Sequence, residues 1–441
     1  MDFLSLHSVC LILAVVSLAP LALYIIRPRQ DPFNPLIFVA ALGFAMTDRR
    51  LLFNPGPALD YLPPWAYKEF IFMVIVSLLG LYAGWFGWSL VNRHYPPSPI
   101  RTLADYRRQY DPNRLLAFGL AYTVIALFSF ALTYHRYHAT GYLRDLMYMN
   151  GPAIVLLIQA AMLDGTLSWV AIPAICAGLT RNIVKFFAYG SRGMTAQAVF
   201  LLLTPFLLKG TRPRKVLVLG LAAVFGITML TLTRSRYLLG EGYAPNRVQA
   251  VVMAAEQMFN GRHQIYDAGS AVVGGAAAMQ AVQHLDNYDW GGFIWNVLAT
   301  FPPHEWFPNK GRWQTPWSAG GWHGYLYSIR VGSGVPIPNG SGTGGFGDMY
   351  VNFWWFCPLF WFLLGYVMHY LYAGAVRGRR MDFQGYLFAM YIMVLFLVSQ
   401  GGEPAVFNFL FGFCPLFIAY PLCRFEAEIR HFPTRPGQVA N

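Results

Sequence analysis

Three cations gather in a short apolar stretch, RNIVKFFAYGSRG, at residues 181–193. Arg181 and Lys185 share one face of a helix, near its end. Arg192 follows between glycines, so backbone and guanidinium can approach a ligand together. Charge at the edge of a span faces the bundle interior, a water-filled cavity or the headgroups. Lys185 and its neighbours therefore either snorkel to lipid phosphates or form an anion site. A guanidinium's planar fork suits phosphate, which makes a diphosphate at the membrane surface the natural ligand.

The second chemical stretch is GSGTGGFGDMYVNFWW at 340–355, which carries Asp348 to the mouth of an apolar run. Glu403, in SQGGEPAVF, and Glu305 and His304, in PPHEWFP, are further proton acceptors at loop positions, as are Glu241 and His323. Each is equally readable as a structural hydrogen-bonding group. Between them runs PPHEWFPNKGRWQTPWSAGGWHGYLY, residues 302–327, with little periodicity and repeated tryptophans. Aromatic faces among polar groups suit carbohydrate, whose C–H faces stack while its hydroxyls need directional partners. An interfacial aromatic belt is the alternative. Trp313, Trp317, Trp322, His323 and Tyr350 are the glycan-binding candidates, and Arg312 and Arg330, which bracket the aromatic segment, are additional cations for the diphosphate.

These groups must be positioned by membrane helices. The 441-residue chain is 56% hydrophobic, 17% aromatic and only 12% charged, against about 25% charged in soluble domains. Apolar runs long enough to cross about 30 Å of hydrocarbon recur throughout. Spans are expected near 4–26, 33–47, 68–92, 114–134, 151–163, 167–188, 194–209, 216–232, 349–373, 384–400 and 404–422. Those at 33–47 and 151–163 are short for a full crossing. The first run is read as a span, not a cleaved signal, for want of a basic leading segment and a cleavage site.

Arginine and lysine crowd one set of alternate loops, including Arg93 to Arg114, Lys209 to Lys215, Arg377 to Arg380 and Arg424 to Arg435. Those loops are cytoplasmic by the positive-inside rule, so residues 233–348 lie outside. Most of the net charge of +12 is thus topology, and nucleic acid is not an expected partner. The external segment is expected to hold helices over 246–259 and 270–285, with an apolar stretch at 290–301. The domain reading is spans 1–8 over 1–232, an external loop domain over 233–348, spans 9–11 over 349–422 and a cytoplasmic tail over 423–441. No P-loop, HExxH, CxxC or G-x-S-x-G pattern occurs, so neither metal nor cofactor is expected.

Together GSRGMTAQAVFLLLTPF (190–206), FPPHEWFPNKGRWQ (301–314) and GTGGFGDMYVNFWWFCPLFWFLLGY (342–366) carry a likeness. The chain resembles the Wzy-type O-antigen and exopolysaccharide polymerases, bacterial enzymes that join oligosaccharide repeat units, over roughly residues 110–420. It departs from them in having Asp348 where relatives often carry Glu, and WWF at 354–356 where they often carry another Gly. The resemblance implies an all-α polytopic bundle of about eleven spans of the GT-C-like kind, in the bacterial inner membrane, with its active site facing the periplasm. It implies glycosyl transfer between undecaprenyl-diphosphate-linked glycans as donor and acceptor, without a cofactor, and a chain-length regulator as partner. On that reading Arg192 and Asp348 are catalytic, and Arg181, Lys185, Arg312 and Arg330 bind diphosphate. A ligase that moves glycan to another acceptor shares these features. A transporter of anionic or lipid-linked substrates is the alternative of another class.

Overall fold

The structure is a computed structural model. It describes residues 5–26, 34–37, 62–91, 103–134, 146–189, 220, 231, 235, 238–239, 242–260, 271–286, 288–300, 306–309, 312, 344–377 and 380–425, though not the side chains of Arg181, Lys185 or Glu403. The described residues are almost wholly helical, without strands; one bridge pairs Tyr110 with Arg424. The chain is an all-α membrane protein: six helical stretches among these residues are long and apolar enough to cross a bilayer. They are Leu6–Ile26, Pro64–Trp88, Pro112–Leu132, Gly344–Val376, Met381–Val398 and Pro404–Cys423, with shorter apolar helices at Met147–Leu163 and Gly165–Thr180. The expected spans at 33–47, 194–209 and 216–232 lie almost entirely outside the described residues.

Helices α1 (Leu6–Ile26) and α2 (Pro64–Val91) lead into α3 (Leu103–Gln109), α4 (Pro112–Tyr134), α5 (Asn150–Leu163) and α6 (Ser168–Tyr189). Three helices follow in the segment read as an external loop: α7 (Arg247–Asn260), α8 (Ala271–Leu285) and α9 (Gly292–Thr300). The last group is α10 (Gly344–Phe353), α11 (Cys357–Tyr372), α12 (Met381–Gln400), α13 (Gly402–Asn408) and α14 (Cys414–Cys423). Large apolar side chains are exposed along α1 (Leu11, Val15), α2 (Phe72, Leu79, Phe86) and α11 (Leu359, Leu363), as lipid-facing surfaces require. α12, by contrast, is buried almost throughout and forms the centre.

Between apolar helices in lipid, small residues decide which backbones can meet. Gly80 and Gly84 of α2, a GxxxG pair, lie against α11: a Cβ on Gly80 would stand 2.6 Å from the Pro358 carbonyl oxygen, and one on Gly84 would overlap that of Phe362. The register advances in the same sense on both helices, so α2 and α11 run parallel.

Polar contacts sort into two ends of the bundle. At one end Arg107 donates to the Leu163 carbonyl, Arg114 to that of Leu422 at 3.0 Å, and Arg380 and Arg424 grip Asp382 at 2.8 and 2.6 Å. The four arginines all come from segments of the arginine-rich set. The other end joins α2's first turns, α8, α9, the start of α10 and the α12–α13 junction.

Two boundaries differ from the sequence reading. The helix containing Asp348 begins at Gly344, ahead of the expected start at 349, and breaks at a 3-10 turn, Trp354–Phe356, before α11 resumes. The glycines before Asp348 act through packing here: a Cβ on Gly347 would lie 2.7 Å from the Cα of Gly275 in α8, so the two helices touch backbone to backbone. The segment at 270–285 is likewise no surface helix, since α8 is buried from Val272 to Val282 between α2 and α10.

Candidate functional site

At the non-arginine end Asp348 is buried, with 8% of its surface exposed. Its carboxylate accepts the backbone N–H of Gly402, the first residue of α13. The junction is closed around it. Gly401 has φ of +111°, which favours glycine, and a Cβ on it would stand 3.0 Å from Asp348 Oδ2. Four residues on, Asn352 donates to the Asp348 carbonyl at 2.8 Å and accepts the Phe293 N–H at 3.3 Å, fastening α9 to the same helix. Asp348 thus joins α10 to α13.

A second carboxylate, not singled out from the sequence, stands at the same end in the first turns of α2. Glu69 is partly buried and receives Gln283 Nε2 at 2.7 Å and Gln280 Nε2 at 3.3 Å, both from α8. The signal available was an acid at a span mouth, where charge is costly unless used. Gln283 Nε2 also donates to the Tyr350 hydroxyl at 3.0 Å, and the Tyr350 ring in turn meets that of Tyr288. Tyr350 is fully buried. Burial pushes the Tyr288 phenol above its ordinary pKa, and nearby Asp286 and Glu69 push the same way.

Aromatic rings surround this network. Tyr288 lies 6.1 Å from Trp290, 6.1 Å from Trp354 and 6.2 Å from Tyr350, measured between ring centres. Trp355 meets Tyr350 edge to face at 5.7 Å. Asp286, Trp290 and Trp354 are the non-glycine residues with positive φ among the described residues, at 48°, 46° and 51°. Bulky side chains hold that conformation only where the surroundings impose it.

Of the residues singled out from sequence, Asp348 and Tyr350 stand at this end, and Arg312 is exposed. Arg181 and Lys185 lie in the last turns of α6, and Glu403 in α13 beside the Asp348 junction, each by its backbone. Arg192, Arg330, Trp313, Trp317, Trp322, His323, His304 and Glu305 lie outside the described residues. Among the described residues no cluster of His, Cys, Asp and Glu could hold a metal ion. No protein-family model, curated protein or solved structure matches the chain.

Proposed function

We propose that the chain is a membrane glycosyltransferase that joins undecaprenyl-diphosphate-linked oligosaccharide repeat units into a surface polysaccharide on the external face of the bacterial inner membrane. The observation that carries this reading is the convergence, at one end of the bundle, of the Glu69 carboxylate, the Gln283 amide and the Tyr288 and Trp290 rings. A carboxylate, an amide and stacked aromatics are what a glycan's hydroxyls and C–H faces require, and the loops' charge pattern supports an external position for this end.

In the reaction an acceptor hydroxyl oxygen attacks the anomeric carbon of the donor. The bond from that carbon to the diphosphate breaks with its electron pair leaving on the phosphate oxygen. Charge grows on the departing diphosphate, so preorganised cations lower the barrier most. Arg192 supplies that charge, with Arg181, Lys185, Arg312 and Arg330 as the surrounding cations. Glu69 takes the acceptor's proton, since its donors among the described residues are neutral amides that leave it an acceptor. Asp348 serves as the clamp that holds α10 to α13 beneath the site.

The purified protein, given a purified lipid-linked repeat unit alone, is expected to yield a ladder of longer lipid-linked glycans. Transfer only to a different acceptor, with no ladder, would instead mark a ligase. No transfer at all, from protein that elutes monodisperse, would refute the glycosyltransferase reading.

A further inference from the structure

We infer that Tyr288, Trp290 and Trp354, beside Glu69, form a subsite for an uncharged pyranose, and that Glu69 excludes acidic sugars from it. The inference rests on the reading that this end of the bundle handles glycan, but not on polymerisation.

Proton accounting gives the site a direction. Gln283 Nε2 gives its two protons to Glu69 Oε1 and to the Tyr350 hydroxyl oxygen. Tyr350 therefore acts as acceptor towards Gln283. The Tyr288 ring lies 6.2 Å from that of Tyr350, which sets its phenol beside this network. Beside it the Glu69 oxygens, each receiving one amide proton, keep lone pairs for a hydroxyl donor. A phenol hydroxyl, which can donate or accept, beside an anionic acceptor suits a pair of vicinal sugar hydroxyls.

The rings supply the other half of the recognition. Trp290 is 62% and Trp354 40% exposed, and both hold positive φ, so the backbone fixes two accessible tryptophans beside Tyr288. Belt residues at a membrane surface stand apart with their polar edges among headgroups. These converge ring to ring on a phenol network instead.

Charge sets the class of sugar. Glu69 and the exposed Asp286 both act on Tyr288, and the groups donating to Glu69 are uncharged. A uronate carboxylate seated on the rings would face like charge with no cation bonded to Glu69 among the described residues. A hydroxyl or an acetamido group meets no such opposition.

The test is saturation-transfer NMR on the full-length protein in detergent, which reads binding without turnover. The probes are maltohexaose, chitohexaose and a galacturonic acid hexamer. Wild type is expected to bind at least one neutral probe and to bind the acidic one about tenfold more weakly or less. Glu69→Gln should bring acidic binding up towards the neutral level, whereas Glu69→Asp should keep the discrimination. Trp290→Ala, at an exposed position that folding tolerates, should lose the neutral signal. Absence of transfer to both neutral probes, equal binding of the acidic probe by wild type, or unchanged discrimination in Glu69→Gln would overturn the inference. Neutral-sugar selectivity without chain extension would instead overturn only the polymerase reading.

Discussion

The carboxylate of Asp348 receives the backbone N–H of Gly402, fixing the helix that enters one span to the helix that opens another. The contact is buried, and neighbouring glycines leave room for it. Removing the acceptor strands a buried donor. Asp348→Ala should therefore cost about 1.5–3 kcal/mol and lower the apparent unfolding temperature in detergent. Asp348→Asn, which retains an acceptor oxygen, should lose less. Equal unfolding temperatures for wild type and Asp348→Ala would remove the joint from the account.

Close approach of α8 and α10 predicts a size limit at Gly347. A Cβ there meets the Gly275 Cα at 2.7 Å, so Gly347→Ala must push two backbones apart and should cost about 1–3 kcal/mol. Gly165→Ala, whose Cβ would have nothing within 4 Å, is the matched control and should leave thermal unfolding unchanged.

If Glu69 takes the acceptor proton, Glu69→Gln should slow extension of lipid-linked glycan about 10²- to 10⁴-fold while membrane insertion stays normal. Asp348→Asn should reduce extension only as far as it reduces stability. Full extension by Glu69→Gln would assign proton transfer elsewhere.

Arg192→Ala should reduce the rate of chain growth by about 10²- to 10³-fold, as expected for loss of a preorganised group at the leaving diphosphate. Arg192→Lys keeps the charge but not the bidentate fork, so it should recover part of the rate. Normal polymer length from Arg192→Ala, at normal expression, would remove it from the mechanism.

The two polar ends should face opposite aqueous compartments. In a background lacking the native cysteines, a membrane-impermeant thiol reagent applied to intact spheroplasts should label Trp290→Cys and spare Arg424→Cys. The reverse pattern would invert the orientation and remove the external site.

Much of the architecture was legible because it depends on local, additive properties. The segments 246–259 and 270–285 carry apolar spacing that predicts helices, and α7 and α8 occupy them with shifts of a residue or so. The breaks were not legible. Trp354 looks like any aromatic in an apolar run, yet it holds φ of 51° where α10 ends, with its ring 6.1 Å from that of Tyr288. Likewise Gly340–Gly347 reads as slack from composition alone. Only the position of α8 makes Gly347 a contact point.

The sequence by itself determined that this is a multi-span helical membrane protein with arginine-rich loops alternating along it, since hydrocarbon thickness and the energy of charge in lipid act on each segment alone. Tertiary structure alone decided which acid joins which partner. Asp348 meets Gly402 and Glu69 meets Gln283, 214 positions away, because helices brought together by glycine contacts select their polar neighbours in space. Spacing along the chain carries no trace of that choice.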